Sequence, residues 1–353
     1  MKHTRMFTLL TALTLLAALV GGCTQQTPSN PTPSPSQTPA AATPENTAQT
    51  TPQPDQRTQV RLAMLNGPTG MGAAKLMADN EAGTTLNDYT VEVAAQPTEI
   101  TGKLINGDLD IAALPTNVAA TLYHKTQGEV QLLALNTLGV LYVLENGDTV
   151  HALSDLAGKT LYATGQGANP EYVLDYLLEQ NGLDPDNDVT VEWRSTGDEV
   201  AALMASGEAT LALLPVPSAT AVLMQNSSVR AAIDLNDAWE QAGATGTFTM
   251  GCVVVRTQFA QEQPQAVEDF LTEYAASIDY VKNNVEEGAQ LVAQYGITPS
   301  AQVAQAAIPQ ANLVCITGLD MLSIQDYYEV LYQADPASIG GSIPDGAFYY
   351  GVE

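Results

Sequence analysis

The sequence predicts an α/β fold in two similar lobes, each a mostly parallel sheet flanked by helices. Three observations predict it. From residue 61 the chain nearly repeats itself at a spacing of 100, without gaps. Within each copy, short apolar runs alternate with segments of helical periodicity, an order that calls for parallel strands joined by right-handed crossovers. After the second copy comes a strongly strand-like run followed by long helices, so first-lobe sequence encloses the second copy.

The repeat is visible residue by residue. Asn87-Asp88-Tyr89-Thr90-Val91-Glu92 aligns with Asn187-Asp188-Val189-Thr190-Val191-Glu192, and Gly107 aligns with Gly207. Ala112, Leu114 and Pro115 align with Ala212, Leu214 and Pro215. The period is too long for a solenoid and suits two half-domains.

In the first copy, Val60 to Leu65 is an apolar run and reads as a strand, and Asn66 to Gly70 reads as a turn. Met71 to Asn80 has helical spacing, and Tyr89 to Ala94 alternates as a strand does. Thr98 to Ile105 reads as a helix closed by Asn106-Gly107. Asp110 to Leu114 is the next strand and Val118 to His124 the next helix. The second copy begins with a strand at Thr160 to Ala163 and a turn from Thr164 to Asn169. Pro170 to Gln180 is its first helix, with Asn169 as N-cap and Pro170 in the first helical position. Val189 to Trp193, Glu199 to Ala205, Thr210 to Leu214 and Ser218 to Met224 then repeat the order strand, helix, strand, helix. Between the copies, Val130 to Leu135 and Val140 to Glu145 read as strands. Phe248 to Arg256 is rich in β-branched residues and reads as a strand. Pro264 to Asn284, Glu286 to Tyr295 and Leu322 to Gln333 read as helices. Residues 59–145 and 250–353 then form lobe I and residues 146–249 lobe II, with crossovers near 140–148 and 245–252 as hinges.

The N-terminus precedes this fold. Lys2 and Arg5 lead into an apolar stretch, Met6 to Val20, shorter than the roughly 20 residues that span a bilayer. Leu19-Val20-Gly21-Gly22-Cys23 follows and resembles a bacterial lipobox. That resemblance implies a signal peptide over residues 1–23 and lipidation of Cys23, which anchors the chain to the outer face of the bacterial cell membrane. Residues 24–58 are mostly Thr, Pro, Ser, Gln and Ala, lack the large apolar residues a core needs, and read as a disordered tether.

Composition narrows the partners. The chain has 353 residues, is 45% hydrophobic and carries a formal charge of −27. Such a surface repels nucleic acid and anionic lipid, so contact with the membrane is expected only through the anchor. Cys23, Cys252 and Cys315 form no CxxC pair, which argues against a zinc ribbon or a redox motif. Cys252 and Cys315 are compatible with one disulfide in an oxidising compartment or with two buried thiols.

Ligands of open α/β sheets bind beyond the carboxyl ends of the strands. Here the loops at 66–71, 95–98 and 115–117 of the first lobe face those at 164–169, 195–198 and 215–218 of the second. The uncharged polar candidates in them are Asn66, Thr69, Gln96, Thr116, Asn117, Thr164, Gln166, Asn169 and Ser218. Met71 closes the first of these loops. Gly70 and Gly167, with Gly72 and Gly165, would expose backbone N–H groups at helix starts, or would simply permit tight turns. Tyr142, with Tyr162, Tyr172 and Trp193, would stack on a flat ring or pack in the core. Arg194 is the one cation beside these loops, and a bidentate Arg clamp for a dicarboxylate is missing. A neutral or singly charged ligand is therefore expected.

Asn106-Gly107-Asp108-Leu109-Asp110-Ile111-Ala112, Ser154-Asp155-Leu156-Ala157-Gly158-Lys159-Thr160 and the helix from Glu171 to Leu183 carry a resemblance over about residues 59–335. In order and spacing they resemble the type 2 periplasmic-binding-protein fold, and more narrowly the solute-binding lipoproteins of ABC transporters for sulfonates, nitrate and thiamine precursors. The resemblance implies a monomer that captures a small molecule by lobe closure and delivers it to permease and ATPase subunits. The implied ligand is a heteroaromatic such as a pyrimidine thiamine precursor, or a sulfonate or aromatic carboxylate. No cofactor, metal or catalytic residue is expected. The Cys- and His-rich motif of the pyrimidine synthases in this superfamily is missing, as are the nucleophile-elbow, zincin and P-loop motifs. A ligand sensor, or an enzyme on the same fold, is the alternative.

Overall fold

The computed structural model describes residues 57–243 and 246–352. Cys23, the signal segment and all but the end of the tether lie outside the described residues. The first copy of the repeat runs β1 (Gln59–Leu65), α1 (Pro68–Met71), α2 (Ala74–Glu81), β2 (Asp88–Ala94), α3 (Pro97–Asn106), β3 (Ile111–Pro115) and α4 (Thr116–Thr126). β4 (Val130–Leu138) and β5 (Leu141–Asn146) follow. The second copy runs β6 (Thr160–Thr164), α5 (Asn169–Gln180), β7 (Thr190–Arg194), α6 (Gly197–Ser206), β8 (Leu211–Pro215) and α7 (Ser218–Gln225). Then come β9 (Val229–Asp234), α8 (Leu235–Gln241) and β10 (Thr249–Arg256). The chain ends through α9 (Thr257–Glu262), α10 (Pro264–Asn283), α11 (Val285–Gln294), α12 (Ala301–Ala307), β11 (Leu313–Ile316) and α13 (Gln325–Ala334).

The repeat is structural. β3 and β8 begin and end 100 residues apart, as do α3 and α6. Both helices start with a capping box: Glu99 Oε1 accepts from the Gln96 N–H at 2.9 Å, and Glu199 accepts from Thr196. Both end at a glycine in the left-handed region, Gly107 at φ 76° and Gly207 at φ 79°, where a Cβ would be strained.

One sheet has six strands in the order β11-β4-β10-β3-β1-β2, the other five in the order β7-β6-β8-β5-β9. In each, the three repeat strands are parallel, as expected. The remaining strands join antiparallel, so the sheets are mixed rather than mostly parallel. The physical reason is the interlobe crossing. β10 enters the first sheet from the other lobe without a helical crossover, and β5 enters the second in the same way. β5 pairs with β8 and β9, so the chain changes sheets between Leu138 and Leu141, ahead of a boundary at 145. Central strands such as β3 and β8 are buried along four of five positions and read as unbroken apolar runs; β2 and β7 are edges and alternate.

The helix expected over 71–80 is broken into α1 and α2. At the break, a Cβ on Gly72 would lie 2.5 Å from Ile278, and the Gly72 carbonyl accepts from Ser277. α10 thus packs directly on the backbone there. At the junction of the lobes, Tyr327 of α13 lies 5.8 Å from Trp239 of α8 and 5.6 Å from Phe248, ring to ring. Tyr176 of α5 continues this aromatic seam at 5.0 Å from Trp239. Cys252 and Cys315 are free thiols. They sit on β10 and β11 with β4 between them, about 10 Å at the usual strand spacing, too far for a disulfide.

Candidate functional site

Both lobes line a cleft of about 330 Å³ at the carboxyl ends of the repeat strands. The start of α1, just after β1, contributes Pro68 and Thr69, and the end of β3 and start of α4 contribute Pro115, Asn117 and Val118. From the second lobe come Ala168, Asn169 and Pro170, at the start of α5. Thr137 near the end of β4, Val140 between β4 and β5, and Met250 at the start of β10 complete the wall. No charged side chain lines the cleft.

Asn169 is the first residue of α5 rather than its N-cap, a place taken by Ala168. Its side chain therefore turns away from the helix end. Asn169 Nδ2 donates to Asn117 Oδ1 at 3.3 Å, a hydrogen bond from one lobe to the other. The residue is only 5% exposed, and its Oδ1 has no partner among the described residues. A buried carbonyl left in this state costs about 1–3 kcal/mol, so it is an unusual group to find in a folded protein.

Beneath the cleft, Asn136 holds the first loop. Its Nδ2 donates to the Thr69 carbonyl and to Tyr274 Oη, both at 2.9 Å, while its Oδ1 accepts from Thr137 Oγ1 at 3.0 Å. Gly251 lies opposite. A Cβ there would be 2.7 Å from Asn136 Oδ1 and 2.8 Å from Thr69 Oγ1. Asn136, Thr137, Met250 and Gly251 escaped sequence reasoning because they sit on crossover strands outside the repeat. Signals were present: a polar Asn-Thr pair inside the apolar β4, and a glycine inside a strand, which marks close backbone approach.

Of the expected residues, Thr69, Asn117 and Asn169 come together in the cleft. Others are engaged in structure. Met71 is fully buried in the first-lobe core, and Thr116 is buried with its hydroxyl on the Thr249 carbonyl at 2.7 Å. Tyr142 is buried and donates to the Gln310 carbonyl at 3.2 Å; burial, then the nearby Asp234 carboxylate, pushes its hydroxyl pKa up. The Gly70 N–H bonds the Gly67 carbonyl, and Gly70 must stay glycine because a Cβ would collide with the Leu65 carbonyl. The Gly167 N–H donates to Glu171. Gln96 is exposed at the start of α3, Asn66 and Gln166 are exposed on their loops, and Thr164 and Ser218 are half-buried at the rim of the second sheet. None of these five lines the cleft. Arg194 pairs with Glu192 at 3.3 Å and stacks on Tyr162 at 5.1 Å.

A larger hollow of about 650 Å³ lies between α5, α8 and α13, with Trp239 on its wall and Asp175, Glu179 and Glu329 around it. Burial, then Glu171, Asp186 and Glu179, pushes the Asp175 carboxyl up to about 6. It lies away from the strand-end loops, so the smaller cleft is the candidate site. Among the described residues no group of His, Cys, Asp and Glu is placed to hold a metal, and no helix is long and apolar enough to cross a membrane.

A family model described as "ABC transporter, phosphonate, periplasmic substrate-binding protein" matches residues 80–307. No curated protein matches the chain. Among solved structures, an ABC transporter protein from Parabacteroides distasonis aligns at 22% identity and TM-score 0.70, over 83% of this chain and 98% of that one. The periplasmic aliphatic sulphonate binding protein SsuA of Escherichia coli aligns at 15% identity and TM-score 0.63, over 82% and 94%. The desulfurization enzyme DszB aligns at 15% identity and TM-score 0.55, over 78% and 92%. At these identities the likeness is one of fold.

Proposed function

We propose, since the chain belongs to the phosphonate family of periplasmic substrate-binding proteins of ABC transporters, that it captures an uncharged or singly charged small molecule between its lobes and hands it to the permease and ATPase of an importer. The observation that carries this reading is the uncharged cleft with a wall from each lobe. A ligand that touches both walls gains contacts only when the lobes close, so it shifts the population to the closed state. The chain passes between the sheets just ahead of β5 and again ahead of β10, and these two passages serve as the hinges. Diacylation at Cys23 tethers the chain to the outer face of the membrane, and the segment to residue 58 gives it reach.

The ligand class follows from the walls. Thr69, Asn117, Thr137 and Asn169 offer hydrogen bonds, and Pro68, Val118, Pro170 and Met250 offer apolar contact. A heteroaromatic such as a pyrimidine fits this mixture, and a sulfonate or aromatic carboxylate is the next choice. A doubly charged phosphonate would be buried without a counter-charge. Catalysis is disfavoured by the same wall, which holds no His, Cys or carboxylate to act as nucleophile or base. His124 bonds the Ser342 carbonyl at 2.7 Å and His151 is exposed beside Asp148, both outside the cleft.

The test is native mass spectrometry of the chain recovered from the cells that make it. A retained small molecule that is lost in Val118→Trp, which fills the cleft, supports capture. Retention unchanged in that variant places binding elsewhere, and turnover of any retained compound makes the chain an enzyme. In parallel, Cys23→Ser should move the protein from the membrane to the soluble fraction.

A further inference from the structure

The lobes also meet at two places outside the cleft, and on the first-lobe side both contacts come from chain that follows β10. On one flank the turn Ile308–Gln310, which packs on α10, α11 and α12, reaches the second lobe. The Gln310 carbonyl accepts from Tyr142 Oη of β5, and Gln310 Oε1 accepts from Thr220 Oγ1 of α7, both at 3.2 Å. Tyr142 and Thr220 are buried. Turning the Gln310 amide over preserves the second bond, because a hydroxyl accepts from Nε2 as readily as it donates to Oε1. On the other flank α13 lies against α5, and Asp335, just past the end of α13, accepts from Tyr172 Oη at 3.3 Å. None of these residues lines the cleft.

A bond that crosses between the lobes without touching the cleft favours closure whether the cleft is filled or empty. Drawing α7 away from Gln310 breaks the Thr220 bond and leaves both groups to water. A net hydrogen bond shifts such an equilibrium roughly two- to tenfold. Resting on the capture reading above, we propose that Gln310, with Asp335 on the opposite flank, is a positioning residue for closure that holds the two cleft walls together before any ligand arrives. The ligand then supplies only the rest of the shift, and apparent affinity rises with the fraction of chain already closed. Release breaks the same clasp, so its strength bears on both ends of a capture cycle. Bonds on opposite flanks also resist twisting of one lobe on the other, which keeps Asn117 facing Asn169 across the cleft.

The experiment is small-angle scattering of the full chain carrying Cys23→Ser, shown to be empty by native mass spectrometry. Thr220→Val combined with Tyr172→Phe removes one hydroxyl from each flank and keeps the shape of both side chains. The expected result is a larger radius of gyration than the parent's. Gln310→Ala removes the Thr220 bond from the other side and should also enlarge the radius, whereas Thr220→Ser keeps the hydroxyl and should match the parent. A merely structural role would lower the melting temperature and leave the radius where it was, and that outcome overturns the proposal. So does a Thr220→Ser chain as expanded as Gln310→Ala. If the double variant fails to fold, Gln310→Ala decides by the same radius. No ligand enters the measurement, so the two readings fail separately: capture is judged on the retained molecule and Val118→Trp, and the clasp on the radius.

Discussion

Gly251 has no side chain, and three neighbours need it to have none. Its position would place a Cβ within 3.0 Å of Asn136, Thr69 and Thr137, of which the last two line the cleft. Gly251→Ala should therefore lower stability by about 1–3 kcal/mol, as overpacking does, and weaken ligand binding at least tenfold. Thermal melts and titration of the same sample check both. Asp110 is the opposite case, a residue that must keep its charge. It is 2% exposed, and its carboxylate accepts from the Arg61 backbone N–H at 2.9 Å, from Arg61 Nε at 2.8 Å and from Arg256 Nη2 at 3.0 Å. Burial alone would raise its pKa, but the bonds from Arg61 and Arg256 outweigh burial and hold it below the usual carboxylate range. A folded pKa below the unfolded one gives stability that is full above about pH 4 and is lost as pH falls further. Asp110→Ala should cost about 3 kcal/mol at pH 7 by stranding Arg256, and should flatten the loss of stability in acid. Denaturant unfolding from pH 3 to 7 measures both effects.

At the scale of elements, the two capping boxes and two glycine ends 100 residues apart show how local chemistry sets a helix. Thr196→Ala removes the oxygen that accepts from the Glu199 N–H and should cost about 1 kcal/mol, read from the melting temperature. α5 holds a group that works against the fold. Asp175, raised to about 6, binds its proton more tightly folded than unfolded, so stability falls as pH rises from about 4 to 6. Asp175→Asn should raise the melting temperature at pH 7 to 8 and do nothing below pH 4. The helix itself was legible as an amphipathic run after Pro170. Its exact start was not, because local rules favour Asn169 over Ala168 as the N-cap, whereas Ala168 holds that place. The neighbour across the cleft decides that Asn169 lies inside the helix with its amide on Asn117.

For the whole molecule, closure is the property to measure. A ligand at about 100 times its Kd adds about 2.7 kcal/mol, which should appear as a rise of several degrees in melting temperature. Small-angle scattering should show a smaller radius of gyration in the same sample, and an unchanged radius on saturation would show that the lobes do not close. The division into lobes was written in the chain. The 100-residue repeat needs no tertiary information, because burial on both faces makes each central strand an apolar run and each helix end demands its own cap and glycine. The candidate loops followed from the strand order, and so Thr69, Asn117 and Asn169 were legible. Tertiary structure alone decided which loop residues face the ligand and which, like Met71 and Thr116, turn into the core. It also placed β5 and β10 in their sheets and brought Thr137, Met250 and Gly251 under the cleft. The physical reason is range: hydrophobic period and capping act between residues a few positions apart, whereas the cleft is made by contacts between residues that only the two interlobe crossings bring together.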